Sequence, residues 1–391
     1  MNTLERPLPV LGVLTEGRLD LAGHRRRYGP IPWHADVVAA AESGGLRGRG
    51  GGGFPTAVKL RAVRGRRSPI VVANGCEGEP LSRKDFTLLS RAPHLVLDGL
   101  MLAANAVGAR EAHLCLHAGS PAEASVLAAL AERSGDPLPV LVSRVPTRYV
   151  ASEESALVNF LTTGDARPTV TPPRPAERGV RGRPTLVDNV DTLAQLALAV
   201  RVGGEVYRGT HTTLVTVNGL VLEVPAGTRL GAVIERAGAT AASRAVLVGG
   251  YGGNWLPLPA AAALPLTFEH LREAGASLGV AVLHVLSPEG CGLTETAGIL
   301  AYLAGESARQ CGPCMFGLPA VAADFAELAR PGASPATRAR LRQRLPVLSG
   351  RGACAHPDGA VRLAASALRV FEADAAAHSA GRPCLTSAGR S

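Results

Sequence analysis

Residues 45–59 read GLRGRGGGGFPTAVK, six glycines and two arginines closed by Phe54-Pro55-Thr56 and Lys59. Glycines at this density leave little bulk over the main-chain N–H groups and permit turns with positive φ. Consecutive N–H groups in such turns form a concave nest for an anion, reinforced where a helix begins just after it. Arg47, Arg49 and Lys59 add positive charge. A flexible linker is the competing reading, but a linker would carry Ser and lack the rigid Phe54-Pro55 step. The stretch therefore predicts a loop that cradles a phosphate-bearing cofactor.

The flanks of this loop set the fold class. Residues 35–43 read as a short helix, and 68–74 (SPIVVAN) as a buried strand bounded by turn formers. Near-helical apolar spacing follows over 94–109, a strand over 112–117, an Ala-rich helix over 121–134 and a strand over 138–145. This alternation predicts a parallel, doubly wound α/β sheet. After a proline-rich stretch at 168–184, residues 185–202 read as a helix following a turn. Residues 213–217 and 221–224 alternate around Asn218-Gly219, the signature of a two-residue hairpin. A helix near 230–237 and a strand at 245–248 complete a small β-grasp-like unit, and the chain from about Gly292 reads as mostly helical.

Composition bounds the rest. The 391 residues, 46% hydrophobic, suffice for two to four domains with real cores. Of the 41 basic residues only Lys59 and Lys84 are lysine, and both lie in the glycine loop or the motif after it, as point charges on flexible stems. The net charge of +9 is not a nucleic-acid footprint: the arginines are dispersed, with local runs such as Arg25-Arg26-Arg27 and no aromatic-studded stripe. No uninterrupted apolar stretch reaches membrane-spanning length, and MNTLERPLPV lacks a signal-peptide core. The expected location is the cytoplasm, where seven cysteines read as metal-binding or reduced rather than disulfide-paired.

Four motifs in series carry a resemblance. They are the glycine loop, Asn74-Gly75-Cys76-Glu77-Gly78-Glu79-Pro80 with Lys84-Asp85, Tyr149-Val150-Ala151-Ser152-Glu153-Glu154-Ser155-Ala156-Leu157, and Gly182-Arg183-Pro184-Thr185-Leu186-Val187-Asp188-Asn189-Val190-Asp191-Thr192-Leu193. Taken in order over about residues 40–370, the chain resembles the FMN-carrying, NADH-oxidising subunit of respiratory complex I. It is similar also to the related flavoprotein subunits of bacterial hydrogenases and formate dehydrogenases. The resemblance implies an N-terminal segment with the glycine loop over 1–56 and a Rossmann-like FMN-binding domain over 57–205. It further implies a β-grasp soluble-ligand-binding domain over 206–288 and a helical iron–sulfur-type bundle over 289–391.

By the same resemblance Gly48, Gly50 and Lys59 would hold the FMN phosphate, and Asn74, Asp188, Asn189 and Thr192 the flavin's sugar-like chain or ring edge. Glu77 and Glu79 would belong to the same cofactor site. Tyr149, Glu153 and Glu154 would line the flavin and the nicotinamide slot, and Phe54 would give a stacking face. The chain departs from the family where Cys76 replaces an Asp and Ser152 a Gly. Ala62 and Arg174 stand where phenylalanines are expected, and Thr171 replaces a lysine. Base stacking contributes roughly 1–3 kcal/mol per base, so FMN retention is expected more firmly than NADH specificity. Arg174 could stack its guanidinium in compensation.

The family's first cluster cysteine is Ala308 here, while Cys311, Cys314 and Cys354 match the other three. Alanine cannot ligate, so a [3Fe–4S] cluster and a [4Fe–4S] cluster with one other ligand both stay open. Ser307, His356 and Cys291 are candidate substitutes, a Cys₃His zinc site using His356 is another option, and metal-free thiols a third. Cys115 reads as core and Cys384, in a Pro/Gly-rich tail, as a free thiol. The resulting expectation is an oxidoreductase subunit in a hetero-oligomer, passing electrons from NAD(P)H through FMN to an iron–sulfur centre or a ferredoxin-like partner. A basic surface would steer an acidic partner of that kind. The alternatives are a ferredoxin-linked FMN protein reducing NAD(P) or another acceptor, and a scaffold without redox activity.

Overall fold

The computed structural model describes residues 11–15, 17–239 and 242–384. The N-terminal decapeptide read for a leader lies outside them. The chain divides into two compact units, one up to Ala226 and one from Gly227.

In the first unit β1 (Ile70–Asn74), β2 (Ala112–His117), β3 (Val140–Val145) and β4 (Thr185–Asn189) form a parallel sheet in the order β3-β2-β1-β4. Alternate residues of a strand point to opposite faces, and here both faces are buried. Val71, Ala73, Leu114, Leu116 and Leu186 join a large core with the helices Pro93–Val107 and Val190–Val202. Ile70, Val72, Cys115 and Val187 join a smaller core with Leu157 and Val180. Such two-sided burial is what parallel sheets require, and it explains why their strands read as short continuous apolar runs.

The helix expected over 185–202 is a strand followed directly by a helix. Residues 185–189 pair in parallel with β1, Ile70 opposite Thr185 and Asn74 opposite Asn189. Asn189 then caps the helix Val190–Val202, its Oδ1 accepting the Asp191 amide at 3.0 Å. The expected strands β1 to β3 and the helices between them are present. The expected hairpin is β5 (Thr212–Val217) with β6 (Leu220–Pro225), its turn residues Asn218 and Gly219 at φ 45° and 88°. Positive φ at both positions matches the twist of the two strands. The hairpin is counted with the first unit.

The second unit starts with the helix Leu230–Arg236 and holds β7 (Ala245–Val248), β8 (Asn254–Pro257) and β9 (Val282–Val285), antiparallel with β7 in the middle. β8 and β9 escaped the sequence reading because four residues show no readable period. Helices Gly292–Gly305, Leu318–Leu328, Pro335–Leu348, His356–Val370 and Glu372–Ser379 follow, the helical region expected after Gly292. Buried Trp255 ties strand to helix: its indole N–H donates to Thr296 at 3.0 Å, its amide to Ser366 at 2.9 Å, and its ring meets Phe371 edge-on. Among the described residues no helix is long and apolar enough to cross a membrane.

Candidate functional site

The sheet order places a topological switch point between β1 and β4. From β1 the chain continues to β2 and β3 on one side, and β4 adds on the other. Ligands of open α/β sheets bind outside the carboxyl ends of the strands at such a point. Asn74 and Asn189 are the last residues of these two strands and stand opposite each other in register.

The glycine loop lies over this edge. Its neck is closed by Gly48 N–H donating to Phe54 O at 2.8 Å and Thr56 N–H to Leu46 O at 2.9 Å. Gly51 and Gly53 take φ of 110° and 58°, the left-handed region that glycine enters without strain. A Cβ on Gly50 would stand 3.3 Å from Asn189 Cβ, so backbone there runs against the end of β4. A Cβ on Gly52 would meet nothing within 4 Å, leaving the tip bare. The Arg49 amide donates to Thr192 Oγ1 at 2.8 Å, and its buried guanidinium to Thr213 Oγ1 at 2.6 Å. Arg47 donates to Gly53 O at 3.2 Å. Both arginines thus brace the loop. Thr192, fully buried, anchors the loop through its bond with the Arg49 amide.

Lys59, on the helix Thr56–Val63, supplies the cation. Its Nζ donates to Val187 O at 2.8 Å, stands 3.4 Å from both Glu154 oxygens and 3.7 Å from Asp188 Oδ1. Burial works against its charge, but the Asp188 and Glu154 carboxylates outweigh it and hold the ammonium above its ordinary pKa. Asp188 is 2% exposed, and burial, opposed by Lys59, pushes its carboxyl up to about 6. Its Oδ2 is buried without a hydrogen-bond partner among the described residues.

Beneath the same edge Lys84, 1% exposed, donates to Asp85 Oδ1 at 2.6 Å and Asn189 Oδ1 at 3.1 Å, and stands 3.7 Å from Asp191 Oδ2. Asn189 Nδ2 donates to Asp85 Oδ2 at 2.7 Å. Burial holds the Asp85 carboxyl above its ordinary value, with Lys84 opposing. Asp191, passed over in the sequence, keeps both carboxylate oxygens buried without a hydrogen-bond partner among the described residues. Its place two residues after Asn189 was the available signal.

The expected carboxylates divide by role. Glu153 caps the helix Glu154–Thr163, accepting the amides of Ser155 at 2.9 Å and Ala156 at 3.1 Å. Burial raises its pKa against those amides. Glu77 accepts the amides of Asp85 and Phe86, both at 3.1 Å, at the start of the helix Lys84–Arg91. These two hold helices in place. Glu79 is buried, with the Leu81 amide 3.4 Å from Oε1. Glu154 alone of the pair 153–154 faces Lys59.

Asn74 Nδ2 donates to Ser152 O at 2.8 Å, and a Cβ on Gly78 would fall 2.2 Å from Ser152 Oγ and 2.7 Å from Tyr149 O. The second and third motifs therefore pack as one piece, with Tyr149 opening their shared turn. Phe54 is 38% exposed, and the Arg174 guanidinium carbon lies 5.9 Å from its ring centroid, within cation–π range. Ala62 is exposed on the adjoining helix. Bare amides, one lysine and buried acceptors lacking donors fit a phosphorylated, hydroxyl-rich ligand, whose hydroxyls would supply those donors.

In the second unit, Cys314 lies in the turn Pro313–Gly317 and Cys354 just before the helix His356–Val370. Burial and then the neighbouring Cys311 and Cys354 push the Cys314 thiol up to about 12, with the Ser307 hydroxyl opposing. The three cysteines and Ser307 thus share one site. His356 Nε2 instead meets Leu303 O at 2.8 Å, and Cys291 lies beside His378. Ala308 offers no thiolate, so a four-cysteine cluster does not fit the residues present, and three thiols remain. Cys115 is core and Cys384 a free thiol, both as expected, and Cys384 is also buried.

Residues 41–198 match the Nuo51 FMN-binding domain, and 295–378 match the NADH-ubiquinone oxidoreductase-F iron-sulfur binding region. The chain is 31% identical over 369 residues to the NADH-quinone oxidoreductase F subunit of Salmonella typhimurium, covering 86% of this chain and 82% of that one. It is 29% identical over 379 residues to the F 2 subunit of the same enzyme of Rhizobium meliloti, covering 89% and 90%. It also superposes on a chain of the NAD+-reducing [NiFe]-hydrogenase in the H2-reduced state, with a TM-score of 0.80 and 29% identity over 89% of this chain. It spans 63% of that hydrogenase chain. With the motifs gathered at one sheet edge and these matches along most of its length, the chain belongs to the family of the NADH-quinone oxidoreductase F subunit.

Proposed function

We propose that this chain is a flavin-dependent electron-transfer subunit, passing electrons from NAD(P)H through FMN to an iron–sulfur centre or a ferredoxin-type partner. One observation carries the reading: the glycine loop is folded over the carboxyl ends of β1 and β4 with Lys59 beside it. Bound FMN supplies two-electron acceptance from a hydride donor and one-electron release.

The residues divide that work. Loop amides around Gly48 and Gly50, with Lys59, would hold the phosphate. Asn74, Asp188 and Asn189 would hydrogen-bond the polyhydroxyl chain or ring edge. Thr192 and Arg49 keep the loop in place, Glu77 and Lys84 fix the floor under Asn189, and Glu153 fixes the helix that presents Glu154. Tyr149, Glu79 and Glu154 would border the ring, and Phe54 with Arg174 would flank the nucleotide donor. A guanidinium stacked on Phe54 replaces an aromatic wall with a charged one, which favours a phosphate-bearing partner at that side.

We assign the 206–288 segment as the β-grasp domain and 289–391 as the cluster-bearing bundle. Cys311, Cys314 and Cys354 would hold a [3Fe–4S] or a site-differentiated [4Fe–4S] cluster. Assembly with iron–sulfur subunits in the cytoplasm, peripheral to a membrane through those partners, completes the proposal. Anaerobic purification from flavin-replete cells tests it: the protein should carry a flavin absorption band that bleaches rapidly with NADH or NADPH. A colourless protein that stays so after incubation with FMN overturns it.

A further inference from the structure

Three residues used by neither site converge in the second unit. Ligand atoms of Cys291, His378 and Cys384 all lie within 4.8 Å of one another, with Cys291 Sγ 3.9 Å from His378 Nε2. His378 is 3% and Cys384 8% exposed. The His378 Nδ1 stands 3.1 Å from Leu328 O. A carbonyl only accepts, so Nδ1 carries the proton and the Nε2 lone pair is turned toward the sulfurs. Metal-binding histidines are oriented by such a bond on the other ring nitrogen. Cys291 occupies the cap position of the 14-residue helix Gly292–Gly305.

We propose that Cys291, His378 and Cys384 form a metal site of the zinc type. Zn–S of about 2.3 Å and Zn–N of about 2.0–2.1 Å place tetrahedral ligand atoms roughly 3.5–3.8 Å apart. The 3.9 Å separation of Cys291 Sγ and His378 Nε2 needs an inward movement of a few tenths of an ångström at most. Two thiolates and an imidazole select a soft ion such as Zn²⁺ over Mg²⁺ or Ca²⁺. Binding releases two thiol protons to solvent, forms two metal–sulfur bonds and one metal–nitrogen bond, and leaves the fourth position to water. The ligands come from the start of one helix, the helix Glu372–Ser379 and the segment beyond it. An ion there would staple the segment around Cys384 onto the helical region.

The test uses the full chain, reduced, metal-free, with Cys311, Cys314 and Cys354 changed to serine so that no other clustered thiolates contribute. Added Co²⁺ should bind one per chain with a sulfur-to-cobalt charge-transfer band and tetrahedral visible bands, all displaced by Zn²⁺. Cys384→Ser should lose about half of the charge-transfer intensity, as one of two thiolates goes. His378→Ala should shift the visible bands, and Zn²⁺ should raise the unfolding midpoint of the parent but not of Cys384→Ser. If the triple-serine protein does not fold, the difference spectrum between the otherwise unaltered chain and Cys384→Ser reads the same quantity. Absence of cobalt–thiolate absorption in the reduced protein overturns the site. So does absorption that Cys291→Ser and Cys384→Ser leave unchanged.

Discussion

The carboxyl edge of the parallel sheet and the cysteine turn of the helical region meet the same demand, holding a cofactor, by opposite means. At the sheet edge the groups offered are mostly main chain: loop amides, strand ends and a lysine braced by one buried and one partly exposed carboxylate. Side-chain changes such as Cys76 and Ser152 leave that frame standing. At the turn every contact would be a thiolate, so the single change to Ala308 removes a whole corner. Recognition built on backbone tolerates drift, whereas recognition built on particular atoms loses a bond with each substitution.

The largest expected effect would break this contrast by restoring the corner. Ala308→Cys should raise iron and sulfide per chain and change the EPR signal of the anaerobic protein, because Ala308 adjoins Ser307 and precedes Cys311 by three residues, and both of these act on Cys314. Unaltered iron content would mean that the turn holds no cluster. Next comes the floor of the sheet edge. Lys84→Met strands Asp85 and Asp191 in a buried site, and breaking such a pair costs about 3–5 kcal/mol, readable by urea unfolding. A loss below about 1 kcal/mol would show that the network is not structural.

Lys59→Ala sharpens the contrast by removing the lysine that the proposed phosphate cradle depends on. A hydrogen bond to a charged group contributes about 1.5–3 kcal/mol, so FMN should bind roughly ten- to a hundredfold more weakly while the fold persists. Equal flavin occupancy in variant and parent would take Lys59 out of the site.

The smallest effect is in pH dependence. Asp188 titrates at about 6 in the folded chain against 3.8 for an ordinary aspartate, because burial outweighs Lys59. A raised carboxyl binds its proton more tightly when folded, so its contribution favours the fold at low pH and is lost as pH rises between about 4 and about 6. Asp188→Asn should remove roughly 1–3 kcal/mol of that decline, seen as a flatter stability profile across the window. Parallel profiles for the two proteins would refute the assignment.

The alternating strands and helices of the sheet were legible because SPIVVAN and the strands β2 and β3 sit between clear turn formers. β4 was not, since five residues run straight into a helix without a break and the apolar run looks the same in either state. The four motifs come together at one sheet edge, but their sequence does not say which carboxylate does what. Glu153 and Glu77 became helix caps because of chain direction at Glu154–Thr163 and Lys84–Arg91, which no spacing encodes. The convergence of Cys291 with His378, 87 residues away, had no sequence signature at all.

The loop's two bracing bonds have a temporal consequence. Arg49 reaches partners 143 and 164 positions further along the chain, at Thr192 and Thr213. The pocket therefore cannot take shape on a growing polypeptide until those threonines have been synthesised and released from the ribosome. Assembly of the pocket is in this sense a late event, gated by the arrival of Thr192 and Thr213 rather than by the appearance of the glycines themselves.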